Sequence, residues 1–291
     1  MSKRWPLFII GNPRSGTSLL RSLLNAHPGI CIAPECGFLL WLKPKWKDVP
    51  LKDEKLEEFI QDVLRSRKFH TWNLSFMALK EELMQRSGFT FQAGAMAVYK
   101  AYARSKGKPE AWVGDKNNYY ISHCGALLEL WPSSTFIHIV RDVRDVTCSY
   151  RELAKKELKS TFYPNLDTEP ARIAEEWLHN NREAMRVLDS STQYFRVRYE
   201  DMVSDPTHTL KSLYEQIGLA PQVDLSPTMH LTNLDEPQEF MDWKAKLKEP
   251  VNNGSVGRFE QALSGPEIKE IEKIAGPLMA EFGYSPYQGP V

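Results

Sequence analysis

The chain lacks an excess of charge of either sign: over 291 residues, 37 Lys and Arg balance 37 Asp and Glu. Without a basic field it has no sequence-independent grip on nucleic acid, so any anion it binds must be held by local placement. Cysteine is scarce. Cys31, Cys36, Cys124 and Cys148 form no C-x-x-C pair or zinc spacing. That excludes a small disulfide framework and leaves four buried free thiols in a reducing compartment as the expectation. No apolar run approaches the roughly 18–20 residues needed to cross a bilayer. Lys3 and Arg4 ahead of WPLFII superficially resemble an export signal, but the run stops at Gly11 inside a turn. It reads as a first strand, and with no export signal the expected location is the cytoplasm. Repeats and low-complexity tracts are missing as well.

What is present begins with LFIIGNPRSGTSLLRSLLNAHP, Leu7 to Pro28, an apolar strand feeding a Gly-bracketed loop and then a helix. Backbone N–H groups unpaired at such a turn point at one place and cradle phosphate or sulfate oxygens. The spacing Gly11, Gly16, Thr17, Ser18 overlays the triphosphate loop G-x-x-x-x-G-K-[ST], but Thr17 stands where the Lys belongs. The loop's own cation is Arg14. That departure argues against an ordinary Mg-nucleotide triphosphate as the bound anion.

Patterning along the rest of the chain alternates strands with helices. A helix is expected over Thr17 to Ala26 with Leu19, Leu20, Leu23 and Leu24 inward, then a strand Ile30 to Ala33. Between Lys43 and about Pro109, amphipathic helices are expected over 55–66, 75–87 and 92–105, as a helical elaboration of approximately 43–110. Its aromatic residues Trp41, Trp46, Phe69, Trp72, Phe76 and Tyr102 suit either an acceptor pocket or an ordinary core. Strands follow at 112–116, 134–140 and 193–199, with helices over 125–130, 145–156 and 170–188, Thr168 being a candidate cap for the last. A helix starts at Asp205-Pro206, residues 220–257 read as long loop, and 264–282 as a helix kinked at Gly276-Pro277. The sum is an α/β chain with a parallel sheet covered by helices on both faces and ligands at the C-terminal strand ends. We expect one domain over residues 1–291, with a loop and helix over 250–284 closing on the ligand.

A second site is RDVRDVTCS, Arg141 to Ser149, where strand FIHIV passes into a helix. Arg141 supplies a charged fork and Ser149, eight positions on, a hydroxyl, so both can reach one phosphate. The alternative is that Arg141 pairs with Asp142 or Asp145 and Ser149 caps locally.

With these two motifs in this order, the chain resembles sulfotransferases dependent on 3′-phosphoadenosine 5′-phosphosulfate (PAPS), in the bacterial-type and tyrosylprotein-sulfotransferase-like branch. GNPRSGTSLL resembles that family's 5′-phosphosulfate loop and RDVRDVTCS its 3′-phosphate motif. VRYEDMVSDP resembles the Tyr-Glu-Asp segment after a core strand, and GSVGRFEQALSGPEIKEIEKIAGPLMAEFGY the C-terminal region. The resemblance implies a P-loop-type fold, PAPS as co-substrate with adenosine 3′,5′-bisphosphate (PAP) as product, and no metal. It implies cofactor contacts from Arg14, Ser15, Gly16, Thr17 and Ser18 to the phosphosulfate and from Arg141 and Ser149 to the 3′-phosphate. Relatives carry Arg-Lys-Gly near the C-terminal loop, whereas this chain has Gly257-Arg258-Phe259, so Ser255 and Arg258 are looser candidates. Tyr199 is either an adenine contact or a core residue.

For the general base, the resemblance implies a Glu shortly after the loop in this branch, where Ala33-Pro34-Glu35 stands. His27, His123 and His138 are rivals. Asp115-Lys116 resembles a Lys-bearing segment that reaches the transferring group; paired with Arg14, Lys116 would stabilise the leaving oxygen, against the alternative of a surface pair with Asp115. The catalytic expectation is therefore Glu35, Lys116 and Arg14, transferring a sulfuryl group to a hydroxyl or amine. The acceptor is a small molecule, lipid, glycan or peptide, with no nucleic-acid partner and oligomeric state open. A P-loop kinase or other nucleotide-dependent phosphotransferase, or a non-catalytic nucleotide-binding protein on the same fold, are the competing readings.

Overall fold

Alternation of side chains across five short strands decides the layout in the computed structural model, which describes residues 5–156, 160–221 and 236–289. Lys3 and Arg4 lie outside them. The strands are β1 (Leu7–Ile10), β2 (Ile30–Ala33), β3 (Trp112–Lys116), β4 (Thr135–Val140) and β5 (Tyr194–Arg198). They form one sheet in the order β2-β3-β1-β4-β5, with every pairing parallel. β1 is central, so both of its neighbours shield it and all four of its residues are buried.

The helices are α1 (Thr17–Asn25), α2 (Phe38–Trp46), α3 (Asp53–Arg65), α4 (Phe76–Met84), α5 (Phe91–Ser105), α6 (Cys124–Leu130) and α7 (Val143–Ala154). They continue as α8 (Pro170–Leu188), α9 (Tyr199–Ser204), α10 (Pro206–Gln216), α11 (Met241–Lys244), α12 (Phe259–Ala262) and α13 (Gly265–Glu281). On one sheet face Phe8, Ile10, Ala33 and Phe136 pack under the helical layer from α2 to α6. On the other, Leu7, Ile9, Ile32 and Ile139 pack under α1, α9 and α10. A third cluster joins α7, α8 and α13 around Trp177. The α/β expectation, parallel and covered on both faces, therefore holds.

Differences are local. The helical layer starts earlier than position 43, at Phe38, because Pro44 is accommodated inside α2. Residues 238–248, expected as loop, form α11 flanked by two short 3-10 turns, while 222–235 of that expected loop lie outside the described residues. α13 runs from Gly265 to Glu281 with Pro277 inside it, as the expected helix over 264–282 places it. Thr168 does not cap α8; the Asp167 carboxylate accepts the N–H groups of Thr168 and Glu169 instead, an Asx-type turn just before the helix. No helix among the described residues is long and apolar enough to cross a membrane.

Candidate active site

Every candidate catalytic residue sits at or just beyond a C-terminal strand end, where a parallel sheet delivers loops to one edge. β1 delivers the anion loop, β2 Glu35, β3 Lys116, β4 Arg141 and β5 Tyr199. These ends open on a cavity of about 850 Å³ lined by Arg14, Gly16, Thr17, Ser18, Glu35 and Lys116, and also by Arg141, Ser149, Tyr199, Ser255 and Arg258.

The loop is held in a conformation that its glycines permit. Gly16 has φ 94°, and a Cβ there would lie 2.6 Å from the Tyr199 ring. Gly11 would meet the Ile139 carbonyl oxygen at 2.7 Å. Tyr199 thus fills the space behind the loop, with the Arg141 guanidinium 4.5 Å from its ring centroid. One ring face is occupied, so Tyr199 packs against both the loop and Arg141. Arg14 takes the left-handed φ of 67°, which turns its side chain into the cavity. Its Nε donates to Ser149 Oγ at 3.1 Å and Nη1 to the Trp243 carbonyl at 3.2 Å. Burial, then Arg141, draws the guanidinium down to about 10. Thr17 donates to Asn118 Oδ1 at 2.9 Å, which commits its hydroxyl.

Ser15 departs from expectation. Its N–H bonds the Asn12 carbonyl within the turn, its hydroxyl is buried without a hydrogen-bond partner, and it does not line the cavity. The side chain of Ser15 points to the core because the turn that exposes Arg14 and Gly16 rotates the residue between them inward.

The second motif assembles as a bracket. Arg141 bonds the carbonyl oxygens of Arg14 at 3.0 Å and Ser255 at 2.6 Å, and its Nε is buried with no partner. Neither acid expected as a rival takes it in a direct bond. Asp142 forks Arg144 and caps α7, while Asp145 accepts the N–H groups of Gly257 at 2.8 Å and Phe259 at 3.1 Å. Glu200, from the Tyr-Glu-Asp segment, accepts the Asp142 N–H, and Trp177 donates to the Arg141 carbonyl. These bonds fix the strand-to-helix corner. Ser255 uses its carbonyl for Arg141 and its hydroxyl for Lys246, and Arg258 pairs with Glu152 at 2.7 Å.

On the other side of the cavity, Glu35 Oε1 is 2.5 Å from Lys68 Nζ and Oε2 is 3.4 Å from Lys116 Nζ. Burial would raise this carboxyl, but Lys116, Lys68 and Lys244 outweigh it and hold it at about 2. Lys116 does not pair with Asp115. Strand alternation turns Asp115 to the opposite face, where Tyr120 donates to it at 3.0 Å and burial pushes it up to about 8. The His rivals lie elsewhere. His27 accepts from the Gly29 N–H and meets the Ala220 carbonyl, His123 stacks on Tyr119, and His138 is a core imidazole drawn to about 3 by burial.

The aromatic residues considered for an acceptor pocket do not line the cavity. Trp46, Phe69, Trp72 and Tyr102 are buried among Phe38, Phe59 and Tyr99 as the core of the helical layer, and Trp41 is exposed. Trp72 still matters locally, donating to the Pro34 carbonyl beside Glu35. The cavity's apolar wall comes instead from Phe162, Leu166, Phe240 and Trp243. These, with Lys68 and Lys244, escape sequence reading; a run such as Lys244 to Lys248, with three lysines, looks like a solvated face. Among the described residues, no group of three His, Cys, Asp or Glu is placed to hold a metal.

The fold is a P-loop-type α/β sheet whose strand ends open on one cavity, with the Glu35–Lys116 ion pair at its edge. The sequence model of the sulfotransferase family matches residues 6–223, and the chain belongs to that family. It is 28% identical over 254 residues to the omega-hydroxy-beta-dihydromenaquinone-9 sulfotransferase Stf3 of Mycobacterium tuberculosis, covering 74% of this chain and 63% of that protein's length. It is 24% identical to the protein-tyrosine sulfotransferase 2 of Gallus gallus, over 99% of this chain and 72% of the relative. Among solved structures, the sulfotransferase domain from the curacin biosynthetic pathway superposes with a TM-score of 0.60 at 18% identity, covering 97% of this chain and 99% of that one.

Proposed function

We propose that the chain transfers a sulfuryl group from PAPS to a hydroxyl or amine acceptor with Glu35 as general base, in a single domain spanning residues 1–291. One observation carries the reading: the anion loop and the Glu35–Lys116 pair open on the same cavity from neighbouring strand ends. The residues present fit the donor. The left-handed Gly16 leaves room for an anion against the backbone, and the orphaned Arg141 Nε is a spare donor. Loop backbone around Arg14 to Ser18 would hold the phosphosulfate, and Arg141 and Ser149 the 3′-phosphate, with Ser255, Arg258 and Tyr199 at the margins. No metal-dependent step is invoked.

In the reaction, the acceptor oxygen forms the new O–S bond as the bridging S–O bond breaks, and that electron pair ends on the phosphate oxygen of PAP. Glu35 takes the acceptor proton, and Lys116 with Arg14 faces the growing negative charge. A carboxylate near 2 is a weak base. Phosphosulfate charge beside Lys116 and Lys68 would offset those cations and raise Glu35 toward a useful value. The apolar wall of Phe162, Leu166, Phe240 and Trp243 favours an acceptor with an aromatic or aliphatic body. The four buried free thiols favour a reducing, cytoplasmic setting.

The test pairs calorimetry with turnover. PAP should bind and ATP should not, since Thr17 lacks the triphosphate loop's Lys; PAPS with a panel of phenols, aliphatic alcohols and amines should yield PAP. Tight ATP binding with Mg²⁺-dependent phosphoryl transfer would replace this reading with a kinase. Binding of PAP without turnover would leave a non-catalytic nucleotide-binding protein.

A further inference from the structure

Three ammonium groups converge on Glu35 from three separated parts of the chain. Two bond it directly, Lys68 and Lys116. The third, Lys244, acts on both Glu35 and Lys116 through its charge but is bound by Glu236. Glu236 is in turn bound by Arg21 at 3.0 Å, with both side chains fully buried. Arg21 stands one turn beyond Thr17 on α1, and its Nη1 also donates to the Ile32 carbonyl of β2 at 2.9 Å. A continuous series therefore runs from the anion-loop helix through Arg21 and Glu236 to Lys244, with a branch to the strand that delivers Glu35.

Burying ions in this way contributes little to stability, because desolvation offsets most of the mutual attraction. The series makes sense if it serves to hold a cation in the cavity wall. Phe240 adds a second restraint, its ring centroid 5.0 Å from Lys244 Nζ and 5.2 Å from Lys68 Nζ.

We propose that Lys244 is a second cation directed at the transferring sulfuryl group, beside Lys116, and that Glu236, fixed by Arg21, is the positioning residue that holds it there. The inference rests on the sulfuryl-transfer reading. In that step the acceptor O–S bond forms, the bridging S–O bond breaks with its electron pair going to PAP, and the proton goes to Glu35. The peripheral sulfuryl oxygens stay negative throughout, and Lys244 lines the cavity on the Glu35 side.

The groups facing Lys244 are Glu236, Glu35 after β2, Lys116 of β3 and Lys68 ahead of Phe69, with Arg21 of α1 behind Glu236. Burial and Lys116 draw Lys244 down to about 7, against the pull of Glu236 and Glu35. Its charge is therefore lost as pH rises through that value. The experiment compares wild type, Lys244→Met, Lys244→Arg and Glu236→Gln, measuring PAP formation from PAPS between pH 5.5 and 9 and PAP affinity by calorimetry.

We expect kcat/KM for PAPS to fall above pH about 7 in the wild type, and this limb to move upward in kcat, where bound donor charge holds the proton on. Lys244→Met should lose about 10²- to 10³-fold in kcat, the scale for one removed oxyanion donor, and lose the limb. Lys244→Arg should keep activity within about tenfold with the limb displaced above pH 9, since guanidinium stays charged. Glu236→Gln should shift the limb to lower pH while PAP affinity stays within a few-fold. A Lys244→Met protein with wild-type kcat and an unchanged limb overturns the inference, as does a Glu236→Gln limb that does not move. If Lys244→Met fails to fold, the Lys244→Arg and Glu236→Gln profiles decide. Wild type that binds PAP but forms none from PAPS sinks the sulfuryl-transfer reading itself, and this inference with it.

Discussion

The two sides of the cavity hold their positive charge in different ways. On the donor side, Arg14 and Arg141 direct their hydrogen bonds to neutral partners: Ser149 Oγ and the carbonyls of Trp243, Arg14 and Ser255. On the base side, each lysine has a carboxylate, Glu35 for Lys68 and Lys116 and Glu236 for Lys244. Neutral partners orient a guanidinium without cancelling it, so the donor side offers its charge to an incoming anion. Carboxylate partners offset charge until something displaces it, so the base side, with two carboxylates against three lysines and Arg21, is partly neutralised at rest and responds when charge moves. On the proposed function, recognition and chemistry are thus divided between the two.

The division can be broken from either side. Glu35→Gln should produce the largest effect, lowering kcat by about 10²- to 10⁴-fold. PAP affinity should hold or rise, because a negative charge is removed between two lysines; weaker PAP binding would contradict a base side whose carboxylate offsets its lysines. Arg141→Met should do the reverse, weakening PAP binding about 10- to 100-fold for the lost charged hydrogen bonds, with a smaller change in kcat at saturating PAPS. Equal losses in both parameters would erase the distinction. Gly16→Ala should destabilise the fold by about 1–3 kcal/mol in urea denaturation, since φ 94° and the Tyr199 ring both oppose a Cβ. In a Tyr199→Ala background the cost should shrink toward the backbone strain alone.

A pH-dependent effect concerns Asp115 beneath the base side. A carboxyl raised to about 8 when folded keeps a proton that the unfolded chain releases near pH about 4. Its share of stability is therefore present at acid pH and lost as pH rises through 8. Asp115→Asn should flatten that decline, read as denaturation midpoints at pH 5 and pH 8; an unchanged slope would mean another group carries it.

Legibility in the sequence follows this same division. The donor side is written in contiguous stretches, because a strand, its turn and the next helix lie within a dozen residues. Gly11 to Ser18 and Arg141 to Ser149 are therefore legible from residue order and spacing alone. Helical and strand periods are equally local, and Pro170–Leu188 and Ile30–Ala33 fall where their patterns put them. The base side is convergent. Lys68 follows a helix end, and Lys244 sits in a short helix over 150 residues away, with no spacing to link them to Glu35. The aromatic residues of the helical layer mislead for the opposite reason. A ring that fills a core and a ring that lines a pocket have the same period, and only packing separates Trp72 from Trp243. Arg21 is hidden by its place on an apolar helix, where a cation reads as surface.

Asp145 has one further consequence, in the order in which the protein is made. It sits in the first turn of α7 yet completes its hydrogen bonds only with Gly257 and Phe259, more than a hundred residues later. On the ribosome, the sheet and its ligand edge can form while that latch is still unsynthesised. The nascent chain would thus carry the cavity open on one side. The pocket gains that wall only when residues 257–259 emerge, so competence for ligand should trail formation of the sheet.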